Sequence, residues 1–528
     1  MTASEMVVRD SVDAYIGPEV PQQGLSLSGR AAWLMSAKAL AFVFSFALPL
    51  LLARRMNTTE YGTYKQFSLI VGTSLALLPL GVGVSALYFL SREDERKRQI
   101  AYNILLFHFS VAGVACLVFI LRPTLLGRVF GNAEMTTYAP LIGVVVLLWV
   151  GSAFLEFVAI ANREVKLATL FVILTQFSKA VCLLAAGIIY GTVLSLIYAA
   201  ILHGLLQTAL LLFYLHSRFA GFWRSFEWAV MRTQLAYALP LGFASLIFQT
   251  QLILDNYFVS FQFGAAAYAI YANGCFQVPL VDLLSESVAS VTIPRASYLQ
   301  KLGRQREIIE LISRMMRKLS AIYFPLYVFL LVSGREFILT LFTARYLASW
   351  PIFAVNITLI PLALIASAYD PVMRAYAQHR YFLLRVRLIM LALLFVSLWF
   401  ATNHFGMIGA ITTMVVINCL ERLITGIKVK RILGITRKDL GLFKDMGKLG
   451  IASIIAGAAT WVARSFMLGV KPFFALAGCA VLFAMTYIAA TLLLGVVTQD
   501  ERNLARRKTA QTWQRAVQLL SRGAATVI

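Results

Sequence analysis

Two lysines lie inside long apolar runs of the chain, where a positive charge is unfavourable. Lys179 lies about twelve residues after the start of its run, near Leu167. Lys38 lies about six residues after Ala32, where the first run starts. At a rise of about 1.5 Å per residue, these positions are about 18 and 9 Å into a helix. A cation in a membrane helix costs at least a few kcal/mol and therefore usually faces protein or a water-filled cavity. We predict that both ammonium groups line a cavity and attract an anionic group, although Lys38 is also close enough to reach the membrane surface.

Three further polar residues accompany these lysines. Gln176 lies one helical turn before Lys179 and extends its polar stripe. Arg54 and Arg55 follow the first apolar run, in a short polar segment that also contains Glu60 and Tyr61. The two arginines either receive an anionic group as a cavity opens on their side of the membrane, or anchor the helix ends to lipid headgroups.

Acidic residues occur in two later apolar segments. Asp255 lies near the outer end of its segment, and Asp282 and Glu286 lie on one helix face, four residues apart. Two like charges on one face favour protonation of one of them or binding of a cation. We therefore consider all three as candidates for coupling to H⁺ or Na⁺, and the alternative for the Asp282 and Glu286 pair is a structural ion pair with Arg295 or with a basic connector.

The motifs of several enzyme classes are missing from the sequence. It contains no phosphate-binding loop of the GxxxxGK[ST] type and no HExxH motif, and its five cysteines lie in apolar runs without CxxC spacing. The longest loop that we predict on the outer side, Arg122 to Thr137, is too short for a catalytic domain. We predict no enzymatic activity, no metal and no cofactor.

The elements that position these residues are membrane helices. The chain of 528 residues is 60% hydrophobic and 13% charged, with a mean hydropathy of +0.78, and it repeats apolar runs of bilayer-spanning length. We predict an all-α polytopic membrane protein with about fourteen transmembrane helices. The predicted parts are a cytoplasmic tail (1–31), two six-helix lobes (32–217 and 233–432), two further helices (446–496) and a basic amphipathic tail (497–528).

The positive charge of the chain indicates its orientation. The formal net charge is +23, but roughly four-fifths of the lysines and arginines fall in alternate loops, so we expect a positively charged cytoplasmic side and no nucleic-acid partner. Both termini are then cytoplasmic. This assignment counts Arg374, Arg387 and Arg422 among the residues of cytoplasmic loops.

An internal repeat relates the two predicted lobes. Tyr61 and Tyr64 recur as Tyr268 and Tyr271, and in both places a tyrosine-containing helix start follows an apolar run and a short hinge. Because six predicted helices separate the copies, the two lobes have the same orientation, as in parallel repeats of secondary transporters.

Four segments of the sequence resemble a known family. They are LLARRMNTTEYGTYKQF, LLPLGVGVSALYFLSRED, ALPLGFASLIFQTQLILDNYF and GAAAYAIYANGCFQVPLVDLLSESVASVTIPRAS. In this order they are similar to the first hairpin and to the second, seventh and eighth helices of the polysaccharide transporter family, within the multidrug/oligosaccharidyl-lipid/polysaccharide exporter superfamily. The resemblance extends from about Ala32 to Leu494.

This resemblance implies a flippase of the bacterial inner membrane that transports an undecaprenyl-pyrophosphate-linked oligosaccharide. Family members have two six-helix lobes around a cationic cavity and open it alternately to each side. The resemblance also implies partners in the same pathway, namely a polysaccharide polymerase and glycosyltransferases. Members often have an arginine on the first helix, where this chain has Lys38, and a lysine lacks the bidentate geometry of arginine toward phosphate.

Three alternatives remain open at this stage. A drug or cation antiporter of the same superfamily is expected to rely on acidic groups in its cavity, whereas Lys179 is a cation. A membrane glycosyltransferase or polymer ligase is expected to have a large external loop, which this sequence lacks. A structural membrane scaffold has no need of a buried lysine.

Overall fold

A computed structural model describes residues 47–376, 379–467 and 469–496 of the chain. These residues form helices and connecting turns, with no strand among them. Lys38 and both predicted tails, 1–31 and 497–528, lie outside the described residues.

Nine helices form the first half of the described chain. They are α1 (47–55), α2 (Thr58–Leu77), α3 (Val82–Phe89), α4 (Lys97–Leu121), α5 (Thr124–Phe130), α6 (Ala133–Ser152), α7 (Leu155–Ala161), α8 (Val165–Ile189) and α9 (Val193–Arg218). The second half contains α10 (Trp228–Gly274), α11 (Pro279–Lys301), α12 (Gln305–Phe342), α13 (Ser349–Asn356), α14 (Leu359–Ala375), α15 (Arg380–Leu433), α16 (Lys444–Ser465) and α17 (Pro472–Leu493).

The described helices confirm an all-α, multi-pass membrane protein. They form ten candidate spans, each a single helix or a continuous pair, that are long and apolar enough to cross a bilayer, and the count rises to 11 when the bent α10 is included. The predicted number of fourteen remains a prediction. Two helices are interrupted by glycines with positive φ, Gly264 in α10 (74°) and Gly406 in α15 (61°), where the chain reverses between two helices. A residue with a Cβ adopts this backbone conformation only with strain.

The first polar hinge is shorter than the sequence suggests. We placed Glu60 and Tyr61 in this polar segment, but α2 already begins at Thr58 and includes both. The reason is the Asn57 side chain, which accepts a hydrogen bond from the backbone N–H of Glu60 at 2.8 Å and so caps the helix. Gly264 follows Asn57 by the same offset, 207 residues, that relates the paired tyrosines. The helix after the hinge therefore begins at equivalent positions in both halves.

The two halves contact each other along α2 and α10. At the end where both hinges lie, which we call the hinge end (residues 54–66 and 260–273), Gly62 is packed directly against the backbone of Ala265. The Gln66 amide donates to Ser260 Oγ at 2.8 Å, and Tyr61 Oη donates to Asn273 Oδ1 at 3.0 Å. Backbone contact and buried hydrogen bonds thus join the halves at the hinge end.

The last two helices, α16 and α17, pack on α12. Arg464 forms an ion pair with Glu336 at 3.0 Å, and Arg317 forms one with Asp445 at 3.3 Å. These pairs join α16 to α12 at two points along α12.

Candidate functional site: two polar cavities

The first half contains a polar cavity of about 220 Å³, which we call the N-terminal cavity. Its lining includes Trp149, Glu156, Gln176, Lys179, His203 and Gln207, which come from α6, α7, α8 and α9. An adjoining cavity of about 230 Å³ lies against α1 and α2 and shares Trp149 and Lys179 with the first. Lys179 therefore faces both cavities, as the sequence predicted for a cation too deep to reach the membrane surface.

The Lys179 ammonium is held over the ring of Trp149. Its Nζ lies 5.0 Å from the ring centroid, a cation–π geometry that contributes about 1 kcal/mol. The ring is itself fixed, because Trp149 Nε1 donates to the carbonyl oxygen of Ala200 at 2.9 Å and His203 packs against it edge-on. Within the described part of the chain, no carboxylate is within ion-pairing distance of Lys179. Its charge is therefore available to an anionic ligand.

Ser178 and His203 are neighbours of this lysine that sequence reasoning missed. They share a hydrogen bond of 3.0 Å between Ser178 Oγ and His203 Nδ1. His203 is buried, and it lies in an apolar helix without any spacing typical of a site. Only the proximity of α8 and α9 brings it to the cavity, and a single sequence does not reveal that proximity.

Arg54 and Arg55 lie away from both cavities, at the hinge end. Both side chains are exposed. Arg54 Nη2 donates to the carbonyl oxygen of Thr340 in α12 at 2.6 Å, and Arg345 Nη1 donates to the carbonyl oxygen of Met56 at 2.8 Å. In this conformation Arg54 thus contributes to the contact between the two halves.

Asp255 is buried in α10, with 2% of its surface exposed. Its carboxylate accepts hydrogen bonds from Tyr271 Oη at 2.6 Å and from the Asn256 amide at 3.2 Å. Both donors are neutral, and no ion pair of Asp255 occurs among the described residues. A buried carboxylate with only neutral donors is a candidate for binding H⁺ or a monovalent cation.

Asp282 and Glu286 face a larger cavity in the second half. The alternative of an ion pair with Arg295 or a basic connector is not seen: among the described residues, neither Asp282 nor Glu286 forms an ion pair. Arg295 follows Glu286 by nine residues on the same helix, about 13 Å along its axis, which is too far for contact. Both carboxylates are instead exposed to the cavity.

This larger space consists of two adjoining cavities of about 480 and 750 Å³, which we together call the C-terminal cavity. Residues of α10, α11, α14 and α15 line it, and both parts share Phe248, Asp282, Asn418 and Arg422. The described residues thus line a small cavity around Lys179 in the first half and a larger one of mixed charge in the second.

The assignment of Arg387 and Arg422 to cytoplasmic loops is wrong. Both lie within α15 and line the C-terminal cavity. Arg387 Nε is 3.3 Å from Glu421 Oε1, and the Gln251 amide donates to Glu421 Oε2 at 2.8 Å. This pairing offsets the cost of burying the charges and allows them inside the helix bundle. The acidic residue Glu421 within an apolar run was the signal in the sequence.

Comparison with known proteins agrees with this fold. A family model described as polysaccharide biosynthesis protein matches residues 31–351, more than half of the chain. The solved structure of the lipid II flippase MurJ in an inward closed conformation is similar with a TM-score of 0.69 and 14% identity, covering 87% of this chain and 98% of MurJ. No curated protein sequence matched.

Two further solved structures share the fold. An inward-facing multidrug resistance MATE family transporter of the MOP superfamily gives a TM-score of 0.61 at 12% identity, over 75% of this chain and 94% of the transporter. A MOP superfamily transporter from Pyrococcus furiosus gives 0.53 at 12% identity, over 77% and 95%. The family match and the shared fold agree with the resemblance seen in the four sequence segments, and the chain belongs to the polysaccharide biosynthesis protein family.

Proposed function

We propose that this protein is a flippase that moves a polyprenyl-pyrophosphate-linked oligosaccharide across the bacterial inner membrane, with both termini in the cytoplasm. The family description and the fold shared with a lipid II flippase support a lipid-linked substrate. The observation that carries the proposal is Lys179, a cation held over Trp149 in a cavity that Glu156 also lines, and it forms no ion pair with a carboxylate of the described residues. Such a cation favours a doubly charged pyrophosphate, because electrostatic attraction is several times stronger in this environment than in water.

In the proposed transport cycle, the cavity at Lys179 and the hinge end have different roles. In the proposed cycle, the pyrophosphate binds at Lys179 while the hinge end is closed, and Gln176 donates a hydrogen bond to it or to the first sugar. Lys38 adds a second positive charge. Opening of the hinge end then breaks the contacts of Arg54 and exposes Arg54 and Arg55 to the departing phosphate.

Ion coupling is the second part of the proposal. We assign Asp255, Asp282 and Glu286 as candidates for H⁺ or Na⁺ binding. Asp255 is supported by its burial among neutral donors, and Asp282 and Glu286 by their spacing on one face of α11.

Undecaprenyl lipids enter from the bilayer, and the polymerase and glycosyltransferases of the same pathway are the expected partners.

One observation favours the antiporter of the same superfamily as the alternative function. The C-terminal cavity contains Asp282, Glu286 and Asp370, and carboxylates in a cavity suit a cationic drug. The two functions differ in the residue that they require, because cation export depends on these carboxylates and does not depend on a positive charge at position 179.

The test is replacement of Lys179 in the organism's own polysaccharide pathway. We expect Lys179→Ala to reduce surface polysaccharide at least tenfold, with lipid-linked oligosaccharide accumulating on the cytoplasmic side, while the amount of protein in the membrane is unchanged. Lys166→Ala is the matched control, because Lys166 is an exposed lysine at the start of the same helix. Wild-type export by Lys179→Ala would contradict the proposal.

A further inference from the structure

Besides the ion pairs Arg387–Glu421 and Arg374–Asp370, the C-terminal cavity has charged groups of both signs that form no ion pair among the described residues. Arg387 is occupied by Glu421. The guanidinium of Arg422 has one weak hydrogen bond, from Nη1 to the carbonyl oxygen of Leu359 at 3.4 Å, and forms no ion pair with any described residue. Asp282, which lies on α11, lines both parts of the same cavity. Most of the five N–H donors of Arg422 and the carboxylate oxygens of Asp282 thus remain available to a ligand.

Neutral polar and aromatic groups complete the lining. Asn256, Asn356 and Asn418 supply amides, and Ser285 and Tyr369 supply hydroxyls. Phe248 forms another part of the wall, with the Arg387 guanidinium 4.4 Å from its ring centroid. This lining is complementary to a polyhydroxylated ring, whose hydroxyls both donate and accept hydrogen bonds. Its carboxylates accept hydrogen bonds, its amides and guanidinium donate them, and its aromatic surface is flat.

Other occupants fit this cavity less well. A prenyl chain would leave its charged groups without partners, which is costly in a low dielectric. A phosphate would be repelled by Asp282 and Glu286. A coupling ion at Asp282 and Glu286 needs only a few ligands and fills a small part of about 750 Å³, so it leaves most of the cavity to a larger ligand.

We propose that the C-terminal cavity binds the oligosaccharide of the transported lipid, while the cavity around Lys179 binds its pyrophosphate. This inference rests on the proposed flippase function. The sizes of the cavities agree with this division, because the C-terminal parts of about 480 and 750 Å³ exceed the N-terminal ones of about 220 and 230 Å³. Arg422 on α15 and Asp282 on α11, which line both parts of the cavity, recognise sugar hydroxyls.

Two lipid probes separate the cavities. One is undecaprenyl pyrophosphate without sugar, and the other is radiolabelled lipid-linked oligosaccharide extracted from cells that lack this protein. Each is titrated against the full-length protein in lipid nanodiscs. Wild type is expected to bind the lipid-linked oligosaccharide more tightly. Arg422→Gln and Asp282→Asn are expected to weaken that binding at least tenfold and to leave undecaprenyl pyrophosphate binding unchanged, whereas Lys179→Gln weakens both.

The control and the contrary results are as follows. Arg295→Gln, an exposed position on the same helix as Asp282 and outside the cavity lining, should match wild type with both probes. If Arg422→Gln weakens the binding of both probes equally, the role of Arg422 is structural. The result for Asp282→Asn then decides whether the inference stands. Undiminished oligosaccharide binding by Asp282→Asn then overturns the inference while the flippase function stands. If wild type binds neither probe above empty nanodiscs, the proposed function fails and the inference fails with it.

Discussion

The ion pair between Arg387 and Glu421 is a residue-scale feature whose energetic role can be measured. The Glu421 side chain is 6% exposed and that of Arg387 is 21% exposed. Removing one charge of such a pair leaves the other uncompensated, at a cost of about 3 kcal/mol or more. We therefore expect Glu421→Gln to lower the thermal unfolding temperature in detergent, and Arg387→Met combined with Glu421→Gln to recover most of the loss.

The pair Asp370–Arg374 provides the control for that measurement. It is also an ion pair, at 2.9 Å, but the Arg374 side chain is 63% exposed. Exposed pairs contribute about 1 kcal/mol or less, so Arg374→Gln should change the unfolding temperature little. If Glu421→Gln and Arg374→Gln lower the unfolding temperature equally, the Arg387–Glu421 pair is as well solvated as the exposed Asp370–Arg374 pair.

Some residues of the cavities could be identified from the sequence and others could not. Lys179 could be identified because depth in an apolar run is readable from spacing alone, and the cost of a buried cation then requires a cavity. Arg422 could not, because the same reasoning treats a charge near a helix end as a loop residue. Its place in the cavity depends on how α10, α11 and α15 pack, and that packing is not encoded in any local pattern.

At the scale of elements, the contact between α2 and α10 depends on a small residue. A Cβ at Gly62 would overlap the carbonyl oxygen of Ala265. We expect Gly62→Val to separate the halves at the hinge end and to reduce polysaccharide export at least tenfold. The measurement is export by intact cells, together with thiol labelling of a cysteine placed at Ser260, which becomes more accessible as the hinge end opens.

Gly113 is the matched glycine for this experiment. It lies within α4, where a Cβ would meet nothing within 4 Å. Gly113→Val should therefore leave export and labelling at the wild-type level. If Gly62→Val behaves in the same way, the close approach of α2 to α10 is not required for the transport cycle.

Element boundaries show a second limit of prediction. The apolar runs correctly indicated membrane helices, but the helix start at Thr58 depends on one side-chain hydrogen bond from Asn57, and the polar residues after it conceal the helix from a hydropathy argument. The reversals at Gly264 and Gly406 are equally local. Each depends on one glycine conformation that neighbouring residues do not signal.

At the scale of the whole molecule, the family resemblance implied two lobes around one cationic cavity. Among the described residues, polar cavities lie in each half, and their charges differ. The reason is that α2 and α10 pack together between the halves, an interaction between segments far apart in sequence. In the proposed transport cycle, alternating access requires that the halves separate at the hinge end.

A reversible cross-link tests this requirement. Gln66 and Ser260 are hydrogen-bonded across the halves at 2.8 Å. In a background in which the five native cysteines are replaced by alanine, Gln66→Cys with Ser260→Cys can be joined by a short bifunctional thiosulfonate reagent. We expect the joined protein to bind lipid-linked oligosaccharide but to stop its translocation in proteoliposomes, and a reductant to restore the rate.

The matched cross-link lies within one half. Thr63 donates to Glu134 at 3.3 Å, and both belong to the first half. Joining Thr63→Cys to Glu134→Cys places the same reagent within a few residues of the first cross-link, but leaves the halves free to separate, so translocation should continue. If the Gln66–Ser260 cross-link also permits translocation at the uncross-linked rate, the substrate passes without separation of the halves at the hinge end, and α2 and α10 form a fixed scaffold.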